Sequence, residues 1–190
     1  KAYVEDVEKA KSLFAVSKRL ARTSGCTIIL APPAPFVGAF ALKNKSSVAF
    51  AAQDVSMTHG GALTGEITAA TYKAAGASYA LIGHSERRAA GDTYTAVAEK
   101  LTHALAHNLI PILCIGEQER DNEGRYLAQI REEITTAIVA LTPKERATVI
   151  IAYEPLWAIG KTAGNAIGPN DLAEMVLYIH KVLAEFLPGK

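Results

Sequence analysis

Cysteine is scarce in this 190-residue chain, which carries only Cys26 and Cys114. Two thiols cannot build a disulfide framework, and neither belongs to a closely spaced pair of the kind that holds a metal. Both stand in apolar runs, so the expectation is two reduced, buried thiols in a cytoplasmic protein. Neither sign of charge is in excess: 20 Lys and Arg face 19 Asp and Glu, a formal net charge of +1. That leaves no basic footprint for nucleic acid and no acidic tail. Long hydrophobic stretches are missing too. The longest, Cys26 to Leu42, is interrupted by Pro32, Pro33, Pro35 and Gly38, which excludes a membrane span there. The opening residues Lys1-Ala2-Tyr3-Val4-Glu5-Asp6 contain no signal-peptide core. No low-complexity tract or linker interrupts the chain, so a single domain over residues 1–190 is expected.

What is present is a repeating pattern, in a chain 49% hydrophobic and therefore able to fill one sizeable core. Five short apolar runs recur: Thr27–Leu30, Val48–Ala51, Tyr79–Ile82, Ile110–Ile115 and Val149–Tyr153. Continuous rather than alternating apolar character suits strands of a parallel sheet, buried on both faces. The segments between them carry helical periodicity. Val4, Val7, Phe14 and Leu20 mark the first. Leu127, Ile130, Ile134, Ile138 and Leu141 mark a later one, and Leu172, Met175, Val176, Ile179, Leu183 and Phe186 the last. Asn170-Asp171 after Pro169 reads as the start of that last helix, and Pro143 as a turn. Strand-helix repeats with right-handed crossovers leave two architectures open, a doubly wound sheet or a (β/α) barrel.

In both, chemistry sits just past the carboxyl ends of the strands. One such place is Gly83-His84-Ser85-Glu86-Arg87-Arg88. A helix starting there disfavours added positive charge on His84, which suits a neutral imidazole donating to a carbonyl oxygen. Taken alone, the segment reads more readily as a structural strand-end histidine beside an ion-pair cluster. The other is Tyr153-Glu154-Pro155-Leu156-Trp157-Ala158-Ile159-Gly160. A carboxylate directly after an apolar strand, beside Pro and Trp, has the setting of a general base. Pro155 stiffens the following loop, and Gly160 offers an unhindered N–H for an anion. The alternative is an ordinary strand-end Glu with a packed Trp. Together, the carboxylate and the imidazole suit proton abstraction next to a carbonyl.

Other signals point nowhere. Gly160-Lys161-Thr162 has the ending of a nucleotide phosphate loop, but Pro155 occupies the earlier glycine position. His103 and His107 stand four apart without the intervening Glu of a zinc protease, so no metal site is assigned. His59 and His180 read as loop and helix-face residues, and the charges of Glu117 to Arg125 as a solvated loop and helix start. A Schiff-base enzyme would need a strand-end lysine, and none of the five runs ends on one.

In order, Ala52-Gln53-Asp54-Val55-Ser56, Gly61–Glu66, Gly83–Arg88, Cys114-Ile115-Gly116-Glu117 and Tyr153–Gly160 resemble the triosephosphate isomerase family over essentially the whole chain. The resemblance implies a (β/α)8 barrel, here incomplete with about five parallel strands and surrounding helices. It also implies cofactor-free interconversion of dihydroxyacetone phosphate and glyceraldehyde 3-phosphate, a step of glycolysis and gluconeogenesis. Glu154 would be the base, His84 the electrophile, and Glu86 the brace of a catalytic lysine. Ser85 would line the site and the Gly160 N–H would meet the phosphate. Pro155, Leu156, Trp157, Ala158, Ile159, Lys161, Thr162 and Ala163 would form the lid. Thr64, Gly65 and Glu66 would lie in a subunit interface, which implies a homodimer or higher homo-oligomer. The family's first strand with its lysine, and its last two strand-helix units with their phosphate loops, find no match here. After Gly160 the run is Lys161-Thr162-Ala163-Gly164-Asn165, where the family usually has Thr-Gly-Lys-Thr-Ala. The competing expectation is therefore an inactive truncated member that oligomerises or needs a complementing chain.

Overall fold

Helix α1 (Val7–Thr23) opens on Asp6, whose carboxylate accepts the Lys9 N–H at 2.7 Å and satisfies a donor that the first turn leaves unpaired. Of the stripe predicted to pack, Phe14 does so and Val7 and Leu20 do not. Ala10 and Ser17 are buried and Phe14 meets the rings of Phe40 and Phe50, while Val7 and Leu20 are about half exposed. Small residues let the helix approach closely, and a periodicity built on large side chains does not register them.

The structure, a computed structural model, describes residues 1–160 and 166–187 and divides into two compact units. The first comprises Lys1–Ile82 and Lys100–Ile112, the second Gly83–Glu99 and Leu113–Lys190. In the first unit, β1 (Ile29–Leu30), α2 (Ala34–Ala41), β2 (Ala49–Ala52), α3 (Ala69–Ala74) and β3 (Tyr79–Ile82) follow α1. The strands lie side by side in chain order, with the first half of β4 (Ile110–Ile115) next to β3. β1 pairs in parallel with β2, Leu30 opposite Phe50, and β2 with β3, Ala52 opposite Ala80. Phe50, Ala51, Ala80 and Ile82 are buried, but Tyr79 and Leu81 only partly so. β3 therefore alternates, where its continuous apolar run predicts burial on both faces.

Cys26 also departs from expectation. It is exposed, in the turn after α1, its N–H donated to the Ser24 hydroxyl. The strand begins only at Ile29, so the apolar run that contains Cys26 starts before the sheet does. Cys114 is buried as expected. The loop between β2 and α3 is closed by the Ser56 N–H on the Ile67 carbonyl at 2.9 Å, and exposes Thr64, Gly65 and Glu66. Within it the His59 ring lies 3.8 Å from that of His103 and 6.0 Å from that of His107.

The second unit holds α4 (Ser85–Ala89), residues 94–99 of α5 (Tyr94–Ala106), the end of β4, α6 (Arg125–Ile138), α7 (Pro143–Arg146), β5 (Ile150–Tyr153), a 3-10 turn (Leu156–Ala158) and α8 (Pro169–Ala184). α6 buries the predicted Ile130, Ile134 and Ile138. α8 starts at Pro169, the residue before its predicted start, and buries Met175 and Ile179 with Val182, leaving Leu172 and Val176 exposed. The predicted turn at Pro143 is a one-turn helix closed by a reciprocal Thr142–Glu145 capping box. Arg131 of α6 grips Glu185, at the end of α8, through two parallel hydrogen bonds of 2.8 and 2.6 Å. Among the described residues no helix is long and apolar enough to cross a membrane.

Candidate active site

The sharp exit from β3 depends on Gly83. Its φ is +70°, and a side chain there would press on Arg88 and Val97 at 3.0–3.1 Å. That turn delivers His84 to the N-cap of α4, where Nδ1 accepts the Glu86 N–H at 3.2 Å. With Nδ1 occupied as an acceptor, the neutral ring carries its proton on Nε2. Nε2 lies 3.5 Å from Glu154 Oε1. The other carboxylate oxygen, Oε2, accepts the Ser85 hydroxyl at 3.0 Å. Glu154 is thus held from two adjacent residues while its side chain stays 27% exposed and reachable. Glu86 is further outward, its carboxylate 3.9 Å from His84 Nδ1.

Glu154 owes its position to the way β5 closes onto β4. Its N–H donates to the Ile115 carbonyl at 2.8 Å, and the Leu156 N–H to the Glu117 carbonyl at 3.0 Å. Between them the two backbones approach so closely that a Cβ on Gly116 would sit 1.8 Å from the Glu154 carbonyl oxygen. Glycine is the residue that lets the carboxylate be where it is.

Beneath this crossing lies a polar cluster that the sequence reading misplaced. Glu117, expected in a solvated loop, is fully buried. Its Oε1 accepts from Tyr153 Oη at 2.8 Å, from Trp157 Nε1 at 2.8 Å and from Arg120 Nε at 3.0 Å. The Arg120 guanidinium also faces the Trp157 ring, 5.1 Å from its centroid. A buried carboxylate is tolerable only when paired and hydrogen-bonded, which this network supplies at Oε1, while Oε2 is buried without a hydrogen-bond partner among the described residues. Burial, together with the Glu117 carboxylate, pushes the Tyr153 phenol upward, so its hydroxyl stays a donor. Glu133 is a second buried carboxylate, its pKa raised by burial against the pull of Arg88 and of the Gly116 N–H it accepts at 3.0 Å. Arg88 in turn donates to the carbonyls of Gly83 and Cys114, linking the two within the second unit. The Cys114 thiol is pushed up to about 11, by burial first and the Glu154 carboxylate second. A cleft of about 140 Å³ opens here, lined by Ser85, Arg88, Cys114, Gly116, Glu133 and Glu154 among others.

The structure therefore brings His84, Ser85 and Glu154 together, with Glu86 beside them. Pro155, Leu156, Trp157, Ala158, Ile159 and Gly160 follow in sequence, the last two exposed. Lys161, Thr162 and Ala163 lie outside the described residues. Thr64, Gly65 and Glu66 belong to the first unit. Arg88, Glu117, Arg120, Glu133 and Tyr153 were missed as site residues. Glu117 had a usable signal: like Glu154, it is a carboxylate just past an apolar strand. Among the described residues no group of three or more His, Cys, Asp or Glu is arranged to hold a metal ion.

A carboxylate beside an imidazole N–H can take a proton from carbon while the N–H stabilises charge on a neighbouring oxygen. Comparison with known proteins identifies the family of the chain. The family model described as triosephosphate isomerase matches residues 1–189. A triosephosphate isomerase of Symbiobacterium thermophilum is 39% identical over 170 residues, 88% of this chain and 66% of the relative. One from Porphyromonas gingivalis is 34% identical over 187 residues, 97% of this chain and 73% of the relative. The crystal structure of triosephosphate isomerase from Bartonella henselae superposes with a TM-score of 0.79 at 26% identity, covering 95% of this chain and 71% of that one. The chain spans about two thirds of the length of the curated relatives it matches.

Proposed function

The chain belongs to the triosephosphate isomerase family, and from that membership we propose that it interconverts dihydroxyacetone phosphate and glyceraldehyde 3-phosphate. Glu154 takes a proton from the carbon next to the carbonyl. The electron pair moves onto the carbonyl oxygen, and the resulting enediolate is stabilised by the His84 Nε2–H. Glu154 then returns the proton to the neighbouring carbon, while the hydroxyl proton on the first carbon passes by way of His84 to the former carbonyl oxygen so that the carbonyl re-forms one carbon along, and no cofactor takes part. Ser85 lines the site and holds the carboxylate. By match to the family motif, Glu86 is the residue that would brace the family's lysine, for which these 190 residues hold no match, and the Gly160 N–H receives the substrate phosphate. Pro155 to Ile159 and Lys161 to Ala163 act as the lid that excludes water, with Trp157 latched to Glu117 at its near end. The setting is glycolysis and gluconeogenesis in the cytoplasm. The working form is a homodimer or higher homo-oligomer, with Thr64, Gly65 and Glu66 at the subunit interface. We also read residues 1–190 as one domain, because two of the crossings between the units fall inside α5 and β4 rather than in linkers.

The observation that carries this reading is the 3.5 Å approach of Glu154 to a His84 nitrogen whose partner nitrogen is already an acceptor. The test is isomerase activity of the 190-residue chain beside Glu154→Gln and His84→Gln. Loss of a general base or acid costs roughly 10²- to 10⁴-fold, and kcat should fall in that range for Glu154→Gln. A folded chain with no turnover above that variant would favour the second reading, an inactive family member that oligomerises or needs a complementing chain.

A further inference from the structure

Charge is unevenly distributed along the chain. Residues 9–53 contain seven cations (Lys9, Lys11, Lys18, Arg19, Arg22, Lys43 and Lys45) and no Asp or Glu, although the whole chain is nearly neutral. In the first unit four of these converge on one concavity. A pocket of about 580 Å³ is lined by Lys18, Arg19, Arg22, Lys45, Ser46 and Ser47, with Ala15 completing its wall. Residues 15, 18, 19 and 22 recur at three and four along α1 and so share one face of that helix. Lys45 to Ser47 come from the turn that leads into β2. The pocket thus lies at the amino ends of the strands in this unit, the end a (β/α) fold does not use for catalysis.

No carboxylate among the described residues accounts for the charge. None of the four cations makes an ion pair with a described carboxylate, and no carboxylate lines the pocket. Arg22 offsets the negative end of the α1 dipole. Lys18 Nζ lies 4.8 Å from the Phe14 ring centroid, which engages one face of the ammonium and leaves donors over. Arg19 and Lys45 have no such explanation. Two guanidiniums and two ammoniums in a pocket of small-molecule size suit an anion with several phosphate groups, since guanidinium meets phosphate through paired N–H donors. No aromatic side chain lines the pocket, so it offers no stacking platform for a base.

We propose that this pocket binds a compact soluble polyphosphorylated anion, recognised through its phosphates. The proposal is independent of the isomerase reading, because none of its residues belongs to the candidate active site.

Isothermal titration calorimetry of the 190-residue chain with tripolyphosphate, at low and at physiological salt, tests it. Saturable binding of one anion per chain is expected, weaker at the higher salt. The double charge reversal Arg19→Glu with Lys45→Glu should weaken it at least tenfold, and the milder Arg19→Gln by less. The matched pair Lys144→Glu with Lys181→Glu, on exposed helix positions away from the pocket, should leave it within about twofold of the parent. Circular dichroism verifies that each variant is folded. Four results would overturn the proposal: no saturable binding, equal weakening by the matched pair, equal affinity for inorganic phosphate, or tighter capture of an oligoribonucleotide or of phosphoinositide-bearing vesicles than of tripolyphosphate.

Discussion

Cys26 and Cys114 share a side chain and nothing else. Cys26 is exposed in a turn, whereas Cys114 is packed at the end of β4 beside Glu154 and its thiol is pushed up to about 11. The thiolate is the reactive species. Iodoacetamide at about pH 8.5 should therefore label Cys26 and spare Cys114, as read by peptide mass mapping, and Cys114 should react only as the pH nears 11. The sign for stability follows from linkage. The folded state favours the neutral thiol, so this contribution is complete below about pH 9 and is lost as the pH rises towards about 11. Prompt labelling of native Cys114 at the lower pH would refute the burial argument. At the same scale, the sequence marked His84 and Glu154 as residues to watch because each stands just past an apolar run, and the structure puts the two side chains within 3.5 Å of each other. It did not mark Glu117 as buried, because its surrounding charges look solvated when read along the chain.

Between elements, the decisive feature is the crossing of β4 and β5 at Gly116. A methyl group there would collide with the Glu154 carbonyl, and the facing atoms are backbone that cannot swing aside. Gly116→Ala should cost about 1–3 kcal/mol in urea unfolding, the range for overpacking a well-packed site. It should also lower kcat in the isomerase assay, since the Glu154 N–H would be pried off the Ile115 carbonyl. Unchanged stability and unchanged kcat would show that the two strand ends are looser than described. Helix α1 carries a related lesson. Its large apolar residues Val7, Leu13, Val16 and Leu20 face out, while Ala10, Phe14 and Ser17 face in. Periodicity identified the helix and its packed Phe14, but it also marked Val7 and Leu20, which are about half exposed, because the rest of the packed stripe is made of small residues.

For the whole molecule, the loop from Met57 to Glu66 matters most. Met57 and Leu63 are 49% and 46% exposed there, an apolar pair on a segment that the family reading assigns to a subunit contact. Light scattering at micromolar concentration should show at least a dimer, and Leu63→Glu should shift it to monomer by burying an unpaired charge in that contact. A monomeric parent would remove the oligomer from the proposed function. Element order was determined by the sequence: all five apolar runs are strands, and the helical periods between them are helices. These depend on short-range pattern, in which each residue reports on its own neighbourhood. Only the tertiary structure decided which carboxylates are buried and what holds them. Glu117 meets Tyr153 and Trp157 across separations of 36 and 40 residues, and Ser85 meets Glu154 across 69. Whether such groups touch depends on how the strand ends are brought together in space, which no local pattern along the chain encodes.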